Sequence, residues 1–164
     1  MAEDIIRTFG YLALGSRFRR IGERLQADTQ QIIDRSGISI QAGQCPMLAA
    51  IGRHEAMTIG DLAEAVGISQ PGVTRTISQL VTQGLVEMRT SEEDQRRKLV
   101  SLTAAGHDFV EYAHRELWPK IEAAVQDLCA ELSGPLLDQL AGIEDGLAEK
   151  SLQERTKTLS EDTP

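Results

Sequence analysis

The fold is decided by residues 58–103, which read TIGDLAEAVGISQPGVTRTISQLVTQGLVEMRTSEEDQRRKLVSLT. Thr58 can accept an amide hydrogen bond that the first turn of a helix leaves free, and Asp61 suits the positive end of that helix. Apolar residues follow on one side, and Gly67 fits the left-handed conformation that commonly ends a helix. The pattern therefore predicts a short helix that begins after Thr58 and ends at Gly67.

A second helix is predicted directly after the first. Ser69 offers an N-cap, and Pro71 falls in the first turn, where a missing N–H has no cost. Apolar residues then follow at spacings typical of a helix and include Val73, Ile77, Leu80 and Val81. We expect this helix to end at Gly84. Two helices joined by a tight turn form a helix-turn-helix.

The outward face of the second helix carries no acidic residue, although the net charge of the chain is −8. Its members are Gln70, Gly72, Thr74, Arg75, Ser78, Gln79 and Thr82. Small hydroxyl and amide groups around one arginine suit contact with phosphates and hydrogen bonding to base edges in a major groove. Gly72 also removes bulk near the helix N-terminus, where a phosphate could sit. This face predicts a nucleic-acid-reading surface.

Two short strands follow Gly84. Residues 85–88 and 98–102 alternate as paired antiparallel strands do, and polar residues connect them. The connection has acids on one side and bases on the other: Glu92, Glu93 and Asp94, then Arg96, Arg97 and Lys98. A hairpin after a helix-turn-helix is a wing, and an arginine on a wing can enter the narrow minor groove.

These motifs resemble the MarR (multiple-antibiotic-resistance regulator) family of winged-helix transcription factors. The run ISQPGVTRTISQLVTQGLVEM resembles the recognition helix and first wing strand of that family, and DQRRKLVSLTAAG resembles its wing motif, an Asp-x-Arg followed by Leu-Thr-x-x-Gly. The close match covers roughly residues 45–110. The chain departs from the family at Gln95, where a second arginine is frequent, and at Gly72, where a bulkier residue is usual.

The resemblance implies a homodimer that binds double-stranded DNA, with Asp94 bracing the wing and Arg96 in the minor groove. The predicted contacts of the recognition helix are Ser69, Gln70, Pro71, Gly72, Thr74, Arg75 and Ser78. Those of the wing are Asp94, Arg96, Arg97 and Lys98.

The predicted fold class is mainly α with a small antiparallel β wing, in which long dimerisation helices flank a winged helix-turn-helix core. We expect one domain over the 164 residues. Its predicted parts are residues 1–36 and 104–158 for dimerisation, 44–103 for DNA binding and 159–164 as a disordered tail. A long helix is expected over 3–36, another from Thr103 with a kink at Pro119 and an end at Ser133, and a last one from Leu136, with fraying from about Thr158.

One copy of the small core has too little apolar surface to cover the apolar faces of all three outer helices. This favours pairing with a second copy of the chain. A two-fold dimer would place its recognition helices about 34–36 Å apart, so the expected target is an inverted repeat. The alternative is a monomer in which the three helices pack on each other.

The distribution of charge and the composition of the chain indicate how it meets DNA and in which compartment it acts. Residues 69–103 carry five bases and four acids, whereas residues 104–164 carry five bases and thirteen acids, so the negative charge lies outside the reading element. Acidic flanks favour one docking orientation on DNA, or they serve solubility alone. No apolar run is long enough to span a membrane, and the N-terminus is unlike a signal peptide. We expect a cytoplasmic protein without disulfides.

Other chemistry is expected to be minor. Cys45 stands at a helix start, where the helix dipole can lower its pKa and make a redox thiol, although a buried small hydrophobe is the alternative. Tyr112, His114 and Trp118 lie where the resemblance implies a pocket for a small aromatic or anionic effector, or they simply pack. His107 and His114 are about 10 Å apart along one helix, too far to chelate one ion, and no metal or cofactor is expected.

The sequence thus predicts a DNA-binding transcriptional regulator that acts as a ligand-responsive repressor. An enzyme is not expected, since no nucleophile motif surrounds its serines. Two alternatives stay open at this point. One is a redox-sensing regulator that acts through Cys45, and the other is a winged helix that binds a protein partner.

Overall fold

The computed structural model describes residues 3–90 and 98–155. Its α-helices are α1 (Ile5–Thr8), α2 (Leu14–Arg35), α3 (Cys45–His54), α4 (Ile59–Val66), α5 (Gln70–Thr82), α6 (Ala104–Tyr112), α7 (Trp118–Cys129) and α8 (Leu136–Glu149). Its strands are β1 (Ala56–Thr58), β2 (Val86–Thr90) and β3 (Lys98–Leu102). The predicted fold class is therefore confirmed: a helical chain with a small antiparallel sheet. The chain divides into two compact units, Met1–Ala123 and Ala124–Pro164.

The core of the first unit lies between α3, α4, α5, α6 and the sheet. Met47, Leu48 and Ile51 of α3 are fully buried, and so are the predicted inward residues of α5, Val73, Ile77 and Leu80. Val81 was grouped with them, but its side chain is 42% exposed. Val81 follows Leu80 directly, and consecutive helical residues lie on different sides of the helix.

The caps of the helix-turn-helix are those expected from the sequence. The Asp61 N–H donates to Thr58 Oγ1 at 3.1 Å, and the Thr58 N–H donates to Asp61 Oδ2 at 3.3 Å, which forms a reciprocal capping box. Gly67 ends α4 in the left-handed conformation, with a φ of 69°. Helix α5 has Pro71 in its first turn and ends at Thr82, two residues before the predicted end.

The sheet has three strands in the order β1-β3-β2, all antiparallel. Strand β1 was not predicted: of its three residues, only Thr58 was assigned to an element, as the cap of α4. Val100 in the central strand is fully buried and pairs with Met57 on one side and Met88 on the other. Strand β2 begins one residue later than expected and extends to Thr90.

The junction between β2 and α6 accounts for the Leu-Thr-x-x-Gly pattern. Thr103 caps α6: its hydroxyl accepts from the Gly106 N–H at 3.1 Å and donates to the Gly84 carbonyl oxygen at 2.6 Å. The Thr103 N–H donates to the Leu85 carbonyl oxygen at 3.1 Å. A Cβ atom at Gly106 would lie only 2.0 Å from that same Leu85 oxygen. Glycine at this position therefore permits a backbone approach that any side chain would block.

The outer helices are less regular than predicted. The expected single helix over residues 3–36 is wrong: Gly10 has a φ of 54°, and a 3₁₀ turn, Gly10–Ala13, separates α1 from α2. The helix after Thr103 is interrupted by a π turn, Ala113–Leu117. Pro119 follows two residues after the end of this turn and has no N–H to donate to the carbonyl four residues back, within the turn, so the regular α-helical ladder is interrupted there.

The second unit contains the end of α7 and all of α8. Helix α7 ends at Cys129, four residues before the predicted stop at Ser133, and α8 begins at Leu136 as expected. The frayed segment expected from Thr158 and the tail 159–164 lie outside the described residues. Among the helices that the structure describes, none has the length and apolar character needed to cross a membrane.

Candidate nucleic-acid interface

The outward face of α5 is open to solvent over most of its length. Of the seven residues predicted to contact DNA from this helix, six are exposed and Gly72 is half-buried: Ser69, Gln70, Pro71, Gly72, Thr74, Arg75 and Ser78. Helix α5 brings all seven to one side of the first unit, because Val73, Ile77 and Leu80 anchor the opposite side in the core. Within the described ranges Arg75 forms no salt bridge, so its guanidinium group is available to a partner.

The N-terminus of α5 is arranged to accept an anion. Ser69 occupies the N-cap position in an extended conformation, yet its side chain makes no capping hydrogen bond. Its hydroxyl group therefore stays available, next to first-turn N–H groups that have no partner within the helix. A Cβ atom on Gly72 would lie 3.3 Å from Ser69 Oγ, so glycine leaves this hydroxyl room to turn.

The base of the wing is formed by β2 and β3. Lys98, the first residue of β3, is exposed and pairs with Thr90 across the hairpin. Three of the predicted wing contacts, Asp94, Arg96 and Arg97, lie outside the described residues. Arg89 on β2 is a further exposed cation that the sequence analysis did not single out, and its guanidinium group forms a 2.6 Å salt bridge with Glu87.

Cys45 lies at the start of α3, but its pKa shifts opposite to the direction expected. Burial raises the pKa of the Cys45 thiol, because an apolar environment disfavours the charged thiolate. The indole of Trp118 lies close enough to oppose this rise partly. Its Nε1 is buried and has no hydrogen-bond partner in residues 3–90 and 98–155, so the indole N–H is not aligned for a hydrogen bond to the sulfur. The N-terminus of α3 thus does not activate this thiol.

We expect Cys45 to react slowly with iodoacetamide. At pH 7.5, in a Cys129→Ser variant, alkylation of the folded protein should be at least about tenfold slower than that of the urea-unfolded chain, since the thiolate is the reactive form. The rate should still rise above pH 9, where an ordinary thiol is already ionised. Mass spectrometry of timed samples measures both rates. Equal rates for the folded and unfolded chains would contradict this assignment.

The predicted effector residues are only partly brought together. His114 and Trp118 meet edge to face, with ring centroids 4.4 Å apart and ring planes at 75°. His114 is exposed, whereas Tyr112 and Trp118 are half-buried and pack against the core. The π turn contains His114 and ends directly before Trp118.

A cleft lies in the first unit, between α2, α3 and α4, away from Tyr112, His114 and Trp118. Its volume is about 680 Å³, and aliphatic side chains such as Leu25, Val66 and Ile68 line most of it. Arg53, at the C-terminal end of α3, is the cation among its lining residues. The sequence analysis did not find this cleft, because its walls come from segments that are far apart in the chain.

The packed helix-turn-helix, the antiparallel wing strands and the exposed second helix define a winged helix-turn-helix protein. Residues 36–97 match the sequence model described as the MarR family. The resemblance stated from the sequence is thereby confirmed.

Similar proteins agree with this assignment. An uncharacterized HTH-type transcriptional regulator of Staphylococcus aureus strain MRSA252 is 29% identical over 83 residues, which are 51% of this chain and 56% of that protein. A second one, from strain Mu50, is 30% identical over 73 residues, 44% of this chain and 50% of the relative. The chain thus spans about half the length of the curated relatives it matches.

Solved structures are similar over a larger share of the chain. A mutant MarR of E. coli complexed with operator DNA has a TM-score of 0.67 at 23% identity, and the match covers 90% of this chain and 98% of that one. The MepR–DNA complex of S. aureus also has a TM-score of 0.67 at 23% identity, covering 84% and 98%. BpsR of Bordetella bronchiseptica, whose DNA binding is regulated by 6-hydroxynicotinic acid, has a TM-score of 0.66 at 25% identity, covering 84% and 94%.

Proposed function

We propose that this protein is a sequence-specific DNA-binding transcriptional regulator, a repressor that binds an inverted-repeat operator as a homodimer in the cytoplasm. The observation that carries the proposal is the exposed, acid-free face of α5, in which Arg75 stands among hydroxyl and amide groups. Such a face offers hydrogen bonds to base edges and no charge that repels phosphates. E. coli MarR complexed with operator DNA and S. aureus MepR complexed with DNA share this fold, which supports a DNA-binding role for this chain.

Exposed apolar side chains in both units support a dimer. In the first unit they include Ile5, Phe9, Tyr11, Leu12, Phe18 and Ile21. In the second unit they include Leu128, Leu132, Leu137, Ile143, Leu147 and Leu152. Tyr11 is 94% exposed and Leu12 is 86% exposed, which is unfavourable for large apolar side chains unless a partner covers them. A second copy of the chain, related by a two-fold axis, is the partner we propose.

The charge distribution supports an oriented approach to DNA. The negative charge is concentrated in residues 104–164, whereas residues 69–103, which contain α5 and the wing, carry one excess positive charge. Acidic regions weaken binding in every orientation except the one that turns α5 and the wing toward the duplex. This separation favours specific over non-specific binding.

Binding to DNA fragments selected from random duplexes tests the proposal. We expect the enriched fragments to share an inverted repeat with half-site centres about 10 base pairs apart, since two recognition helices must lie one helical turn apart. Affinity measured by fluorescence anisotropy should fall steeply as salt rises, because binding releases counterions from the phosphates. One chain has a mass of 18.0 kDa, and light scattering after size exclusion should give twice that mass. A monomer that binds no duplex at low salt would overturn the proposal.

Release of the operator by a small aromatic or anionic effector is part of the proposal. BpsR, at 25% identity, has its DNA binding regulated by 6-hydroxynicotinic acid. In this chain Tyr112 and the edge-to-face pair of His114 and Trp118 provide aromatic surface for such a ligand. A change in Trp118 fluorescence during titration with phenolic ligands, together with loss of operator binding, would report it, whereas a ligand that leaves both unchanged is no effector.

A further inference from the structure

Three exposed hydroxyl side chains lie four residues apart along α5 and form one row, which we call the hydroxyl stripe: Thr74, Ser78 and Thr82. Each hydroxyl donates to the backbone carbonyl oxygen four residues earlier. The distances are 2.9 Å from Thr74 Oγ1 to Gln70 O, 2.8 Å from Ser78 Oγ to Thr74 O and 2.9 Å from Thr82 Oγ1 to Ser78 O. A hydroxyl group has a single proton, so the donor of every member of the stripe is used within the helix.

These hydrogen bonds determine what Thr74 presents to a partner. The hydroxyl and methyl groups of threonine occupy different staggered positions on Cβ. When Oγ1 contacts the Gln70 carbonyl oxygen, the methyl group points in another direction, on a residue that is exposed as a whole. Thr74 therefore offers a methyl group and an acceptor oxygen. Ser78 has the same hydrogen bond but no methyl group, so it offers the acceptor alone.

Thymine is the base that matches this surface. In the major groove it presents a C5-methyl group and the O4 acceptor, and no other base has a methyl group on that edge. Apolar contact with the thymine methyl is a recognised use of a threonine methyl group. A donor for O4 is available nearby in the side-chain amide of the exposed Gln70, one helical turn before Thr74.

We propose that Thr74 is a specificity-determining residue that packs its methyl group against the C5-methyl group of a thymine, in a base pair adjoining the one that Arg75 reads. The inference rests on the proposed DNA-binding function and deepens it. Thr74 is the fifth residue of α5, and the N-terminal half of a recognition helix is the part that contacts base edges. Thr82 lies two turns further along and is too distant to make the same contact.

Deoxyuridine substitution tests this contact directly. Each thymine of the selected operator is replaced in turn by deoxyuridine, which removes only the C5-methyl group and keeps base pairing. We expect one thymine per half-site at which the wild-type protein loses affinity about fourfold, the factor for one methyl group returned to water. Substitution in both half-sites should then cost about fifteenfold. Fluorescence anisotropy at fixed salt measures these ratios.

Matched serine variants assign the contact to a residue. Thr74→Ser keeps the hydroxyl group and its hydrogen bond to Gln70 but removes the methyl group, so it should bind the thymine operator about fourfold less tightly per half-site and be indifferent to deoxyuridine. Thr82→Ser makes the same chemical change on the same stripe and should keep the full deoxyuridine penalty. Both sites are exposed, and circular dichroism can verify that each variant is folded.

The outcomes separate this inference from the function on which it rests. A wild-type protein that binds its operator but tolerates deoxyuridine at every thymine overturns the role of Thr74. A Thr74→Ser variant with the wild-type deoxyuridine penalty overturns it equally, and both results leave DNA binding intact. A protein that binds no duplex at all overturns the proposed function, and the inference with it.

Discussion

Replacing Arg75 with alanine should weaken binding to the operator by about 5- to 150-fold per half-site, which corresponds to about 1–3 kcal/mol for a bidentate contact with guanine. Arg75 is exposed in the N-terminal half of α5 and has no salt-bridge partner in the part of the chain that the structure describes. The variant should therefore lose a contact with DNA and no contact within the protein. Competition between the operator and single-base variants should show that discrimination is lost at one position only.

Two further variants make this expectation specific. Arg75→Lys retains the positive charge but not the planar fork, so it should lose base discrimination and keep the salt dependence of binding. Arg96→Ala, on the wing, should weaken binding evenly across operator variants and reduce the salt slope by about one for each wing. Equal and small effects of Arg75→Ala and Arg96→Ala would contradict the division between a reading helix and a supporting wing.

Replacing Gly106 with alanine should lower the free energy of unfolding by about 3 kcal/mol, at the upper end of the usual cost of overpacking. The new Cβ atom would lie 2.0 Å from the Leu85 carbonyl oxygen and 3.2 Å from Leu102 Cδ2. The first contact is with backbone, which cannot rotate away as a side chain can. Relief therefore requires α6 to move from β2, which breaks the hydrogen bonds that Thr103 makes to Gly84 and Leu85.

Thermal unfolding at a fixed protein concentration measures this loss, since the melting temperature of a dimer depends on concentration. We expect the melting temperature to fall by about 6–12 °C for a chain of this size. Gly142→Ala is the matched control, because Gly142 lies within α8 and a Cβ atom there meets nothing within 4 Å. That variant should be unchanged or slightly more stable. A Gly106→Ala protein as stable as the wild type would contradict the close approach of the Leu85 carbonyl oxygen to Gly106.

The helix-turn-helix could be predicted almost residue by residue, because local interactions define it. The capping box joins Thr58 and Asp61, which are three residues apart, and Gly67 ends α4 through its own backbone conformation. The inward and outward sides of α5 follow from helical periodicity alone. The seven candidate DNA contacts on this helix could therefore be named from the sequence. Their roles in DNA binding remain predictions, as do those of Asp94, Arg96 and Arg97 on the wing.

Other features depend on residues that are distant in the chain. Strand β1 has only three residues and exists through its pairing with β3, so no periodicity could reveal it. The sequence left two readings of Cys45 open, a thiol with a lowered pKa and a buried small hydrophobe, and burial raises its pKa, in line with the second. The cleft beside Arg53 has walls from α2, α3 and α4, and no single segment indicates it.

The sequence by itself determined the helix-turn-helix and the chemical character of its outward face, because caps, periodicity and side-chain type act within a few residues. Only the tertiary structure decided that Gly106 must be glycine, since the Leu85 carbonyl oxygen reaches it from 21 positions earlier in the chain. It likewise decided that the pKa of Cys45 is raised, because the apolar surroundings of this thiol come from residues distant in the chain, such as Trp118.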